Sequence, residues 1–201
     1  MGRTSEAKEK LLQVAFDLIW NESYGAVGVE EICERAGVHK GSFYHHFPSK
    51  ADLAIEACEE NWRERQPILD RIFSPQVPPL ERLHQWCDYL YNRQKQKAEK
   101  YGRVCGCPYG SLGGEVATQD ERIRAKVQEV VKGNIRYVES ALADAIRNGL
   151  VTMEDSKVAA TRVYSTALGM LLHAKIRNDL ELLRDLWPTI LEMIGAKAVA
   201  A

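Results

Sequence analysis

Between Gly37 and Lys50 the chain reads Gly-Val-His-Lys-Gly-Ser-Phe-Tyr-His-His-Phe-Pro-Ser-Lys, and from Arg35 to Lys50 it carries no carboxylate. Lys40 can reach a guanine edge or a phosphate, and Ser42 and Tyr44 can donate to phosphates. Tyr44 also offers its ring to a thymine methyl, and Gly41 lets another backbone come close. Phe43 and Phe47, four residues apart, fall on one helical face and would anchor the segment to a core. This is chemistry for gripping a nucleic-acid backbone and its base edges. The same residues also fit a set of core aromatics with histidines on a solvated face.

A second chemical cluster is Val104-Cys105-Gly106-Cys107-Pro108-Tyr109-Gly110-Ser111-Leu112-Gly113-Gly114-Glu115, preceded by Arg93, Lys95, Lys97, Lys100 and Arg103. Cationic neighbours and a helix start near Ser111 would favour a thiolate, the reactive form of cysteine. Cys105 and Cys107 could equally be two small side chains in a tight turn. Joined by Cys87 or His84 they would make a thiolate–imidazole set suited to zinc or copper(I), although one intervening residue without a second paired motif is a weak metal signature. No resident metal or cofactor is expected. The glycines lack a preceding strand, which excludes a dinucleotide or Walker loop. His84 and His173 have no partner by spacing, so the chain is not expected to be an enzyme. A helical protein-interaction module would leave the Lys40–Lys50 segment unexplained.

The elements that must position these residues are helices. Long alternating β-branched runs are absent, and helical periodicity runs almost throughout, giving an all-α chain. Leu11, Leu12, Ala15, Phe16, Leu18 and Ile19 form the apolar face of a first helix ending near Tyr24-Gly25. Val29–Ala36 is a second, stopped by Gly37. Ser49-Lys50-Ala51-Asp52 has the form of a capping box opening a fourth. Ser74–Pro79 reads as a loop and a hinge into a larger helical region. Further helices are expected over 80–100, from Thr118-Gln119-Asp120-Glu121 to Asn148-Gly149, from Thr152–Asp155 to about Arg177, and over 180–194, the last kinked or edged by Pro188.

The chain has 201 residues, 45% of them hydrophobic and 27% charged, with a formal net charge of −1. That balance fits a globular protein with a real core and excludes a broadly basic surface. The cationic character is focused on one element instead. No run of about 18 apolar residues and no secretory signal is seen, so a cytoplasmic protein without a membrane partner is expected. Five cysteines fit free thiols in a reducing compartment.

The helix pair closing on His39–Phe47 resembles the N-terminal DNA-binding domain of the TetR family of bacterial repressors. The resemblance implies a helix-turn-helix domain over residues 1–50 and an effector-binding and dimerisation domain over 51–201. It places His45 at a base- or phosphate-contacting position and His46 and Lys50 at phosphate contacts, with Lys50 beside the start of the fourth helix. His39 and Gly28 depart from the Ser or Thr common at those places in the family. A homodimer reading an inverted-repeat operator on double-stranded DNA is implied. The seam would lie on the last two helices, with Val163, Ala167, Met170, Leu171, Ala174, Leu183, Leu186, Ile190 and Met193 as candidates, some of which fill the protomer core instead. A small-molecule effector would sit in the C-terminal domain, with Trp86, Tyr89, Tyr109, Tyr137 and Tyr164 as candidate lining residues. The Cys105–Glu115 stretch also looks like that of a subgroup including repressors of electrophiles and oxidants. There Cys107 aligns with the sensing cysteine, and Cys105 would resolve it or stand by.

Overall fold

The computed structural model describes residues 3–196, and among these it is all helix, with no strand. The α-helices are α1 (Arg3–Asn21), α2 (Val29–Ala36), α3 (Lys40–His46), α4 (Lys50–Ile72), α5 (Pro79–Tyr101), α6 (Pro108–Val116), α7 (Glu121–Arg147), α8 (Ser156–Arg177) and α9 (Leu186–Ile194). A 3-10 turn, Glu181–Asp185, precedes α9. They form two compact units. The first runs to Arg65 and also takes in Pro108–Val130; the second combines Gln66–Cys107 with the chain from Val131 onward. The first unit thus reaches beyond residue 50, adding most of α4, all of α6 and the start of α7.

In the first unit, Leu11, Leu12, Ala15 and Leu18 of α1 meet Ile32 and Cys33 of α2, Phe43 and Phe47, and Leu53 and Ala57 of α4. Phe43 and Phe47 are fully enclosed, each contributing on the order of 2–3 kcal/mol by burial. Gly37 ends α2 in the left-handed region, with its N–H on the Glu34 carbonyl and the Val38 N–H on that of Cys33. Val38 then packs on the same core, completing a Schellman stop. Ser49 caps α4, its Oγ accepting from the Asp52 N–H at 3.2 Å. Asp120 caps α7 by accepting from the N–H groups of Arg122 and Ile123.

The second unit is built on α5, α8 and α9 with the later parts of α4 and α7. Asp155 caps α8 through the N–H groups of Lys157 and Val158. Gly195 ends α9 at φ 58°, where a Cβ would lie 2.0 Å from Thr152 Oγ1, so only glycine fits. The Ser74–Pro79 loop lies within this unit and is pinned: buried Arg82 donates to the carbonyls of Val77 (2.7 Å) and Pro75 (3.0 Å) and to Asp144 (2.6 Å).

Two expectations are corrected here and one open choice is narrowed. The glycine-rich stretch is helical from Pro108, three residues before Ser111. The 180–194 segment divides into the 3-10 turn and α9, with Pro188 exposed in the first turn of α9, where a missing N–H costs little. Of the proposed seam residues, Val163, Ala167, Leu171, Ala174, Leu183, Leu186 and Ile190 are buried within the protomer, leaving only Met170 and Met193 partly open. The apolar side chains that α8 does expose are Val158, Leu172 and Ile176. Helical periodicity marks an apolar face without telling a protomer core from an interface.

Candidate DNA-binding surface and thiol loop

The α2–Gly37–α3 turn sets α3 on its two phenylalanines and leaves the opposite side in solvent. Phe43 and Phe47 lie 5.9 Å apart, ring to ring, under the helix. His39 is the N-cap, its carbonyl accepting from the N–H groups of Ser42 and Phe43, while its imidazole makes no capping bond and is exposed. Tyr44 is 52% exposed, its ring near-perpendicular to that of Phe43 with the centroids 5.0 Å apart. Gly41 and His45 are exposed and Ser42 partly so. His46 is partly covered between His45 and Phe47, and its Nε2 is buried with no hydrogen-bond partner among the described residues.

Two of the expected DNA contacts have internal partners. Lys40 Nζ donates to Glu30 at 2.7 Å; that bond holds the lysine pKa above, and the glutamate pKa below, their ordinary values. A phosphate or guanine must therefore share Lys40 with Glu30 or compete with it. Lys50, at the first position of α4, donates to the carbonyls of Tyr24 (2.9 Å) and Val27 (3.0 Å) and lies 4.2 Å from the Tyr24 ring centroid. It ties α4 to the loop between α1 and α2. Arg35 pairs with Glu31 and Glu22. Sequence spacing shows the local charge but not these pairings.

A Cβ on Gly41 would meet nothing within 4 Å. Gly41→Ala should therefore leave the fold intact or stabilise it by up to about 1 kcal/mol, since glycine is the costlier helix residue. If α3 lies against DNA, the added methyl stands between the two backbones, and operator affinity should fall by roughly tenfold. Paired melting and anisotropy measurements check this; unchanged affinity would mean that Gly41 does not face DNA.

The thiol loop is held in the second unit. The Val104 N–H donates to Asn178 Oδ1 at 2.8 Å, from the left-handed residue that ends α8. Gln94, 3% exposed, pairs with Gly106 from both sides, donating to its carbonyl at 2.9 Å and accepting its N–H at 2.8 Å. Gly106 has φ +71°, and a Cβ there would press on the Leu171 carbonyl at 3.2 Å. Cys105 is buried, its thiol turned to the Arg103 carbonyl. Cys107 is partly exposed and packs beside Val104, Leu171, Ala174 and Leu183.

The other thiols are poorly placed for chemistry. Burial pushes Cys58 and Cys87 up to about 12 and raises Cys33, which disfavours the thiolate in all three. The metal alternative on Cys105 and Cys107 is not assembled. Cys87 is buried, His84 stacks on Trp187 at 5.1 Å, and the described residues hold no group of three or more His, Cys, Asp or Glu able to bind a metal.

The candidate effector residues have different surroundings. Trp86 and Tyr164 stack at 6.5 Å in the second unit. Tyr89 carries Arg93 on its ring and hydroxyl. Tyr137 lies against Phe73 and bonds Asp70, and its hydroxyl is pushed up to about 12, by burial first and then by that carboxylate. Tyr109 belongs to the first unit, where its hydroxyl donates to Asn61 at 2.9 Å and Arg65 lies over its ring.

Known proteins share this architecture. Residues 11–57 match the bacterial regulatory proteins of the tetR family, and residues 79–190 match a tetracyclin repressor-like C-terminal domain. The HTH-type transcriptional repressor NemR of Escherichia coli K12 is 26% identical over 96% of this chain and 96% of its own. The transcriptional regulator AcuR of Cereibacter sphaeroides is 29% identical over 86% of this chain and 78% of its own. The crystal structure of reduced E. coli NemR superposes with a TM-score of 0.81 at 26% identity, covering 96% of this chain and 99% of that one. Among the described residues no helix is long and apolar enough to cross a membrane. With a helix-turn-helix at its N-terminus and a C-terminal match spanning more than half its length, the chain belongs to the TetR family of DNA-binding transcriptional regulators and is not an enzyme.

Proposed function

We propose that the chain acts in the cytoplasm as a homodimeric repressor, bound to an inverted-repeat operator and released by a thiol-reactive signal at Cys107. The observation that carries the first part is α3 itself, whose buried phenylalanines set Gly41, Tyr44 and His45 outward in solvent. Two such helices related by a two-fold axis read two half-sites. The dimer reading is supported by α8, where Val158, Leu172 and Ile176 are 42%, 55% and 73% exposed. Ser165 and Gly169 continue that stripe, and a Cβ on Gly169 would touch nothing in the protomer, leaving room for a partner helix.

The thiol reading rests on contrast. Cys107 is partly open whereas the other four cysteines are buried. It ends the clamped loop and directly precedes α6, so an adduct there must be accommodated in a packed setting. The crystal structure of the E. coli repressor it resembles is of a reduced form. A signal of this kind acts only through a difference in stability between the DNA-competent and DNA-incompetent states.

Fluorescence anisotropy on the intergenic DNA upstream of the chain's own gene, with and without N-ethylmaleimide, tests this. Alkylation should weaken wild-type binding at least tenfold, within the usual range of allosteric coupling. Cys107→Ser should bind as wild type and lose the response. Full modification of Cys107 by mass spectrometry with unchanged affinity would refute thiol sensing. The stacked Trp86–Tyr164 pair would then be the first place to seek a non-covalent effector.

A further inference from the structure

The loop joining α1 to α2 is held from two sides by charged groups far away in sequence. Glu115, one residue from the end of α6, spreads its carboxylate over two backbone amides. Oε2 accepts from the Tyr24 N–H at 3.0 Å and Oε1 from the Gly25 N–H at 2.6 Å. On the other side the Lys50 ammonium takes the carbonyls of Tyr24 and Val27. The Tyr24 residue is thereby fixed at both its N–H and its C=O.

Glu115 has no reason to stand there for the sake of α6. A carboxylate in the last turn of a helix opposes the partial negative charge of that end. What offsets the mismatch is the pair of amide donors, and charge-assisted bonds of this kind are the stronger sort. Gly25 answers the same contact, because a Cβ there would fall 2.8 Å from Glu115 Oε1. The loop leads straight into α2, whose first residue, Val29, follows Gly25 by four. Helix α2 and α3 then share one turn and one core. A shift of the loop therefore shifts α3.

Helix α6 is itself firmly seated in the first unit. Its Tyr109 hydroxyl bonds Asn61 of α4, and a Cβ on Gly113 would lie 3.1 Å from Val127 of α7, so the two helices approach closely. Its first residue, Pro108, is bonded to Cys107. The carboxylate–amide pair is where this seated helix meets the loop that leads into α2.

We propose that Glu115 is a positioning residue for DNA recognition: its carboxylate, clasping the Tyr24 and Gly25 amides against Lys50, sets the placement of α2 and α3. The proposal rests on α3 being the DNA-reading helix. It makes a prediction whose sign separates it from plain electrostatics. Removing a carboxylate from a protein that binds a polyanion should tighten binding if charge alone mattered. The clasp requires the reverse.

Three variants should be titrated with the upstream intergenic duplex and with a scrambled duplex, at one fixed salt concentration. Glu115→Ala should lose roughly tenfold in intergenic-DNA affinity, two charge-assisted bonds having gone, while binding the scrambled duplex as well as wild type or better. Gly25→Ala keeps the charge and forces the Glu115 carboxylate to shift from its present contact, and should lose part of the same factor. Glu115→Gln retains one acceptor oxygen and should recover part of it. Amide exchange at Tyr24 and Gly25 should quicken in the Ala variants, with circular dichroism unchanged. Intergenic affinity equal to or above wild type in both Ala variants would overturn the proposal. So would parallel loss on both duplexes with lost helicity, which would mark Glu115 as merely structural. The wild-type titration, run first, tests the DNA-reading assignment by itself.

Discussion

Arg82→Ala should lower unfolding stability by about 3 kcal/mol. The guanidinium is only 4% exposed and serves three acceptors in three directions, the carbonyls of Pro75 and Val77 and the carboxylate of Asp144. Truncation strands all three. The figure lies at the lower end for a broken buried pair because Asp144 is 26% exposed and keeps a second partner in Arg147, at 2.8 Å. Lysine at position 82 should rescue little, since an ammonium cannot reproduce the planar fork. Asp144→Asn should cost less than Arg82→Ala, because the arginine retains both carbonyls. Chemical denaturation at one fixed protomer concentration checks the order, and equal or reversed losses would show that the loop carbonyls do not matter.

The same pair gives the pH dependence. The hydrogen bond from Arg82 holds the Asp144 carboxyl below its ordinary range, aided by the charges of Arg82 and Arg147 and opposed by burial. A carboxylate whose folded pKa is the lower one stabilises the fold fully above its unfolded pKa, near 4, and loses that contribution as pH falls through the folded value. Denaturation midpoints should therefore be flat for this pair around neutrality and drop only in acid, and the acid drop should shrink in Asp144→Asn.

The uneven legibility of this chain follows from how far apart its interacting residues stand. Helix ends were readable because Gly37, Ser49, Asp120 and Asp155 act on backbone a few residues away. The Lys40–Phe47 surface was readable because a single helix carries both its anchor and its exposed face. Glu115 was not, since its partners lie 90 and 91 positions away. Nor were Lys50's carbonyls, 23 and 26 positions back, or the Arg82–Asp144 pair at 62. A cation in a DNA-binding segment reads as a phosphate ligand until its other partners are seen. Ser111 as a helix start failed for a different reason: glycines at 106, 110, 113 and 114 suppress helix propensity, and close packing such as Gly113 on Val127 overrides it.

Tyr44→Ala should weaken operator binding by roughly ten- to a hundredfold while leaving the protomer and its dimer intact. The ring is half in solvent and touches the core only edge-on at Phe43, so its removal opens no cavity beneath α3. What is lost is the outward surface: a hydroxyl for a phosphate and an apolar ring for a base methyl or sugar. Tyr44→Phe separates the two. If the hydroxyl carries the effect, Phe should lose affinity evenly across operator sequences; if the ring does, Phe should bind as wild type and only Ala should relax sequence preference. Salt gives an independent handle. The slope of log affinity against log salt should be unchanged in Tyr44→Ala, whereas Lys40→Ala should flatten it by about 0.9 if Lys40 contacts a phosphate. An unaltered slope in Lys40→Ala would mean that Lys40 makes no phosphate contact in the complex. Dissociation of the dimer or a large fall in stability in Tyr44→Ala would mean that α3 is buried in the assembled protein, and the DNA-reading surface would have to be sought elsewhere.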